Sequence, residues 1–157
     1  MGKLRLSIVT AERTLLAEEG VDFISAPGTK GRLGILPQHT PLLTTLEPGE
    51  LRYRRNGEEV HVAISGGFLQ VAEDQVIILA DTAERADEID EARAEAARLK
   101  AEELLRKKES LTQDDLRRAE SSLRKAIVRL RVVRYRRPRR VPTLPRLEEG
   151  EGPESGA

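Results

Sequence analysis

The chain has 157 residues, no cysteine, 38% hydrophobic and 34% charged residues, and a formal net charge of zero. Without cysteine there is neither a disulfide framework nor a thiolate metal site, and the length fits one domain with an appendage or two small units. The longest unbroken apolar run, residues 76–80, is far short of the roughly 20 residues that a membrane-spanning helix needs, so a soluble, intracellular protein is expected.

The first eighty-odd residues read as β-structure. MGKLRLSIVT sets Leu4, Leu6 and Ile8 against Arg5 and Ser7, the period of a half-buried strand and too regular for a signal peptide. In LRYRRNGEEVHVAIS, Asn56-Gly57 lies between two alternating runs. Both residues tolerate positive φ, which predicts a hairpin with a primed turn. A further turn at Glu73-Asp74-Gln75 separates GGFLQVA from VIILAD. Short strands punctuated by Gly and Pro indicate an all-β sandwich or barrel over residues 1–86.

The period changes after Thr82. ADEIDEARAEAARLKAEELLRKK is rich in helix formers with acids crowded at its start, where they suit the helix dipole. Asp87 is the expected N-cap, and Ile89, Ala92, Ala96 and Leu99 form the expected buried stripe. Thr112, with Asp115 three residues on, opens a second helix whose apolar face holds Leu116, Ala119, Leu123, Ala126, Ile127, Leu130 and Val133. The class is therefore α+β: an N-terminal β-sandwich followed by an antiparallel two-helix hairpin over residues 87–137. Alanine on the first stripe allows close approach but buries little area, so the pairing is expected to be marginal and the hairpin a moving part. Pro138 stops the second helix, and the Pro-, Gly- and Glu-rich residues 138–157 are expected to be disordered.

The neutral total hides a basic block. Residues 111–140 carry eleven basic and three acidic side chains, and seven of the twelve residues in RLRVVRYRRPRR, 129–140, are arginine. Such a block describes association rather than fold. A solvated helix face, an acidic protein partner, nucleic acid and a membrane surface all fit it. Nucleic acid is the weaker reading, because Tyr135 alone in the block could stack on a base. A membrane contact would lack a hydrophobic anchor beside the charge.

Catalytic groups are scarce. His39 and His61 do not cluster with carboxylates at metal-ligand spacing, and His61 sits in an alternating strand, where a surface or cross-strand role is expected. Residues 65–67, Ser-Gly-Gly, lack the lysine of a phosphate loop and suit a bulge or a close backbone approach.

Three segments taken together resemble the epsilon subunit of the bacterial F-type ATP synthase. They are GRLGILPQHTPLL (31–43), SGGFLQV (65–71) and AERADEID (83–90), and AESSLRKAIVRLRV (119–132) extends the likeness along residues 3–135. The resemblance implies a non-catalytic rotor subunit at the cytoplasmic face of the plasma membrane, peripheral and touching the membrane only through its complex. The sandwich would grip the gamma subunit and rest on the c-subunit ring through a loop that includes Arg32 and His39. Arg32 stands where relatives often carry an acid. The hairpin would either lie on the sandwich or extend into the alpha/beta head and block ATP hydrolysis. Arg117, Arg118, Arg124, Arg131 and Arg134, with Lys125 and Arg129, would then face an acidic segment of the beta subunit.

No cofactor is required by this reading, but a regulatory ATP is implied. Ile89, Asp90, Arg93 and Ala94 match the family's nucleotide-binding segment, and Glu84 matches a further acid. Arg129 matches a phosphate-facing arginine, and Lys125 stands in place of another. Lys125 and Arg129 are one helical turn apart, so both can face one anion. The alternative for residues 90–93 is an Asp90–Arg93 ion pair on an ordinary helix. A basic-helix nucleic-acid-binding module and a small-ligand-binding sandwich remain the readings from other classes.

Overall fold

The computed structural model describes residues 2–136, which form seven strands and two α-helices. The strands are β1 (Leu4–Val9), β2 (Thr14–Gly28), β3 (Gly31–Ile35), β4 (Leu42–Arg55), β5 (Glu58–Ala72), β6 (Gln75–Ala80) and β7 (Ala83–Arg85). A 3-10 turn, Ala86–Glu88, leads to α1 (Glu91–Arg106), and a second, Lys108–Ser110, leads to α2 (Gln113–Val133). Arg137, at the end of the expected hairpin, and the expected tail 138–157 lie outside the described residues.

The two layers of the expected sandwich are one continuous sheet. Strands run β1-β6-β5-β4-β2, and β2 pairs back onto β1 (Leu6↔Glu18, Ile8↔Leu16), which closes a flattened barrel. β3 and β7 are added outside this ring, on β2 and β5. Closure is possible because β2, β4 and β5 are 14 or 15 residues long and bend from one layer to the other. Leu4, Leu6 and Ile8 are buried as their alternation requires, in one core with Ile24, Leu51, Val62, Leu69 and Ile78.

Both predicted turns form. Asn56 and Gly57 have φ of 52° and 76°, and Arg55 pairs with Glu58 across them. Glu73 and Asp74 (φ 50° and 61°) make the next turn alone, and Gln75 is already the first residue of β6. Residues 65–67 are a close approach, as expected. β5 switches partners there from β7 to β6, and its inward side chains change phase from Val62 and Ile64 to Leu69 and Val71.

The hairpin forms, with two departures from the expected helix start. Asp90, not Asp87, caps α1: its carboxylate accepts the Arg93 N–H at 3.1 Å. Asp87 lies in the 3-10 turn, because Ile89 must turn inward to be buried before the helix can begin. The stripe on α1 is also shifted. Ala94 and Ala101 are buried, whereas Ala92, Ala96 and Leu99 are exposed. Alanine at 92, 94, 96, 97 and 101 makes every face of α1 similarly apolar, so periodicity cannot choose the phase; the Ile89 anchor and the Asp90 cap do. On α2, Thr112 is the N-cap as expected, accepting the Asp115 N–H at 3.2 Å. Leu116, Ala119, Leu123, Ala126, Leu130 and Val133 are buried or half-buried, but Ile127 is 41% exposed. A second stripe, Val128 and Val132, packs on the barrel.

Candidate functional site

The outer face of β5 is divided. From His61 to Ser65 it is buried on both sides, with Val62 and Ile64 in the core and Ala63 under the hairpin. Val128, Val132 and Val133 of α2 close over Ala63, Ala86 and Ile89. α2 carries the main contacts to the barrel, and α1 packs on α2.

Beside this seal, a cleft of about 340 Å³ opens between β5, β7 and the two helices. Glu84, Arg93, Lys125 and Arg129 line it together with Ser65 and Thr82. Four of the seven residues expected at a nucleotide site thus meet, from three separate elements. Arg129 donates to Glu84 through two bonds, Nε to Oε2 at 2.7 Å and Nη2 to Oε1 at 3.2 Å. That pair neutralises one cation and leaves Arg93 and Lys125 to give the cleft a positive balance. The other three do not line the cleft. Ile89 is buried in the seal, Ala94 is buried against α2, and Asp90 caps the helix that presents Arg93. The Asp90–Arg93 relation is therefore a bond to the backbone N–H, not the side-chain ion pair weighed as the alternative.

Arg117, Arg118, Arg124, Arg131 and Arg134 are all exposed along α2, as is Lys125. The stripes facing α1 and the barrel hold none of them. At the other end of the barrel, the loop after β3 is fixed by Asp74, whose carboxylate accepts the Gln38 N–H at 2.6 Å. His39 is half-buried in that loop, and its Nδ1 donates to the Thr40 carbonyl at 2.7 Å. Arg32 is exposed on β3, but its guanidinium is already engaged. Its Nε donates to Ser25 Oγ at 2.8 Å and its Nη2 to the Glu50 carbonyl at 2.8 Å. Partial burial, then Arg52 and also Arg131, holds its pKa below the usual guanidinium value.

Two features escaped the sequence reading. Leu43, Phe68 and Leu79 are 72%, 53% and 53% exposed on the outer face of β4, β5 and β6, with Phe68 directly opposite both Thr45 and Leu79. The sequence leaves this open: an unbroken apolar run at 76–80 puts apolar residues on both faces of β6, which suits a strand covered on both sides as well as one with a bare apolar face. The second feature is His61. Of its two expected roles the cross-strand one holds, through Glu50 of β4, and the surface one does not: it is 6% exposed because Tyr135 stacks on it with ring centroids 3.6 Å apart and planes 5° from parallel. His61 Nδ1 lies 3.0 Å from Glu50 Oε1, and Nε2 lies 3.3 Å from Glu59 Oε1. Tyr135, the one aromatic available for base stacking in the basic block, is thus already engaged.

Comparison with known proteins covers both parts of the chain. The family described as ATP synthase, Delta/Epsilon chain, beta-sandwich domain matches residues 3–86, and its long alpha-helix domain matches residues 87–134. An ATP synthase epsilon chain from Herpetosiphon aurantiacus is 60% identical over 136 residues, covering 87% of this chain and 98% of the relative. One from Chloroflexus aggregans is 54% identical over 137 residues, covering 87% and 96%. Among solved structures, a chain of the Euglena gracilis mitochondrial ATP synthase (OSCP, F1 and c-ring) superposes with a TM-score of 0.69 at 25% identity, over 79% of this chain and 77% of that one. A chain from the Tetrahymena thermophila central stalk and c-ring has a TM-score of 0.55 at 18% identity, over 85% and 99%, a likeness of fold alone.

Proposed function

This chain belongs to the ATP synthase delta/epsilon chain family, and on that premise we propose that it is a non-catalytic subunit of the central stalk. It couples proton-driven rotation to ATP synthesis, and its hairpin restrains ATP hydrolysis. The gamma subunit covers the Leu43–Phe68–Leu79 patch, an exposed apolar surface of the kind that marks a protein interface. The Asp74-braced loop with His39 meets the c-ring; Arg32 is exposed on β3, with its guanidinium tied to Ser25 and the Glu50 carbonyl. The exposed arginines of α2 meet an acidic segment of the beta subunit when the hairpin extends. The observation that carries this reading is the division of α2, with small apolar stripes facing inward and a row of cations facing out. Each exposed pair contributes only about 0–1 kcal/mol, so the row acts as a set. The protein acts at the cytoplasmic membrane face, peripherally; no helix among the described residues is long and apolar enough to cross a membrane.

Phe68→Asp tests the patch. Copurification with the gamma subunit should weaken about 30-fold or more, as at an interface hot spot costing 2 kcal/mol, while the melting temperature stays near that of the parent. Undiminished copurification excludes the patch as the docking surface.

The same fold supports a regulatory ATP in the cleft under α2. The phosphates lie toward Arg93, Lys125 and Arg129, and Glu84 yields part of its hold on Arg129. Lys125 contributes a point charge where arginine would give a two-pronged contact, which lowers affinity. Both helices and β7 supply ligands, so ATP favours the folded hairpin. At ten times its dissociation constant it adds about 1.4 kcal/mol if the extended form does not bind. Titration of ATP into the isolated protein should saturate, and Arg93→Ala should abolish that saturation. If neither protein binds saturably, the nucleotide site is excluded.

A further inference from the structure

The polypeptide is rigid on both sides of one short joint. Before it, Arg13 in the β1–β2 turn holds Glu88 through two bonds of 2.9 Å, and Glu88 also accepts the Arg85 N–H at 3.1 Å. The Arg13 guanidinium keeps the Glu88 carboxyl below the usual carboxylate pKa range, with burial acting against it. Arg85 in turn donates to the Leu15 carbonyl at 2.8 Å. The 3-10 turn is thus tied to the barrel, although it follows the last strand. After the joint, α1 starts at Glu91 under its Asp90 cap. Between them only Ile89 and Asp90 are extended (φ −75°, ψ 124° and φ −82°, ψ 103°), and neither belongs to a helix or a strand.

The last turns of α2 hold this joint. Ile89 is buried among Val128, Val132 and Val133. Arg136 donates to the Ile89 carbonyl, and Tyr135 lies flat on His61 of β5. The Arg129–Glu84 pair belongs to the same stretch. Toward its start, α2 turns Leu116, Ala119 and Leu123 to its other stripe, and the apolar residues it shares with the barrel are confined to 128–133. We propose that Tyr135 and Arg136 form a clasp that locks a hinge at Ile89–Asp90, so that the hairpin leaves the barrel from the C-terminal end of α2. This rests on the reading that the hairpin can leave the barrel at all. It adds where release begins, which two residues pivot, and that the turn at 86–88 remains behind. The clasp works against extension, so loosening it and deleting α2 have opposite effects on hydrolysis.

The chain has no cysteine, so a single Ala63→Cys substitution under α2 reports opening as a thiol-labelling rate in the full-length protein. Tyr135→Ala should raise that rate about two- to tenfold, the range of an aromatic stack, and Tyr135→Phe should leave it near the parent value. Arg136→Ala should raise it as well. In the assembled complex, Tyr135→Ala should lower ATP hydrolysis, because more hairpins are free to extend. A labelling rate unchanged by Tyr135→Ala overturns the clasp whatever hydrolysis does. A rate that rises only in step with a falling melting temperature of the barrel also overturns it. Faster labelling with an unchanged melting temperature and unchanged hydrolysis supports the clasp and removes the inhibitory reading instead.

Discussion

Deleting residues 111–157 is expected to raise ATP hydrolysis by the assembled complex about tenfold, if the blocked state is favoured by about 1.4 kcal/mol. The barrel should survive, since its core cluster holds no residue beyond Ala83. α2 leaves behind Ala63, Ala86 and Ile89, only one of which is large, so little apolar surface is newly exposed. α1 loses its partner, and a 16-residue helix alone is marginal in water, so the remaining segment cannot replace the block. Binding to the gamma subunit should persist, because the Leu43–Phe68–Leu79 patch lies on the barrel. Hydrolysis equal to that of the intact complex, with the truncated chain still bound, would mean that this hairpin does not inhibit.

Gly67→Ala is expected to destabilise the isolated chain severely, lowering its urea midpoint far below that of Gly57→Ala. Gly67 has φ of 138°, and a Cβ there would lie 2.0 Å from the Leu79 carbonyl oxygen and 2.9 Å from the Ala80 Cα. Both neighbours are backbone of β6, paired with β5 through Gly67↔Ala80, so relief requires two central strands to part. The cost is expected to exceed about 4 kcal/mol, a large part of the 5–15 kcal/mol that holds a domain together. Gly57→Ala separates backbone strain from collision. Its φ is 76° but nothing lies within 4 Å of the added Cβ, so about 1–2 kcal/mol should be lost. Urea unfolding of both variants is the measurement. A Gly67→Ala midpoint close to that of Gly57→Ala would refute the close-approach argument.

Much of the β region was legible because its signals are local. Leu4, Leu6 and Ile8 alternate, and Asn56-Gly57 names its own turn. Closure of the barrel through β1 and β2 was not legible, since pairing between strands leaves no periodic mark on either. The helices were found by composition, yet the phase of α1 was missed because alanine appears on nearly every side of it. The cleft residues came from family likeness. The physical reason they meet, β7 presenting Glu84 to α2, is tertiary. His61 and Tyr135 are 74 positions apart, and neither residue signals the other. Phe68 and Leu79 follow ordinary strand chemistry and announce a partner only once their face is seen to be bare.

The ring of strands has a consequence for the chain before it finds its complex. A sheet joined to itself offers neighbouring copies few free backbone N–H and C=O groups, and among the described residues only the short β3 and β7 lie outside the ring. Newly made copies therefore have little template for stacking strand upon strand into fibres. Among the described residues, the remaining surface suited to self-association is one of side chains, the exposed Leu43, Phe68 and Leu79.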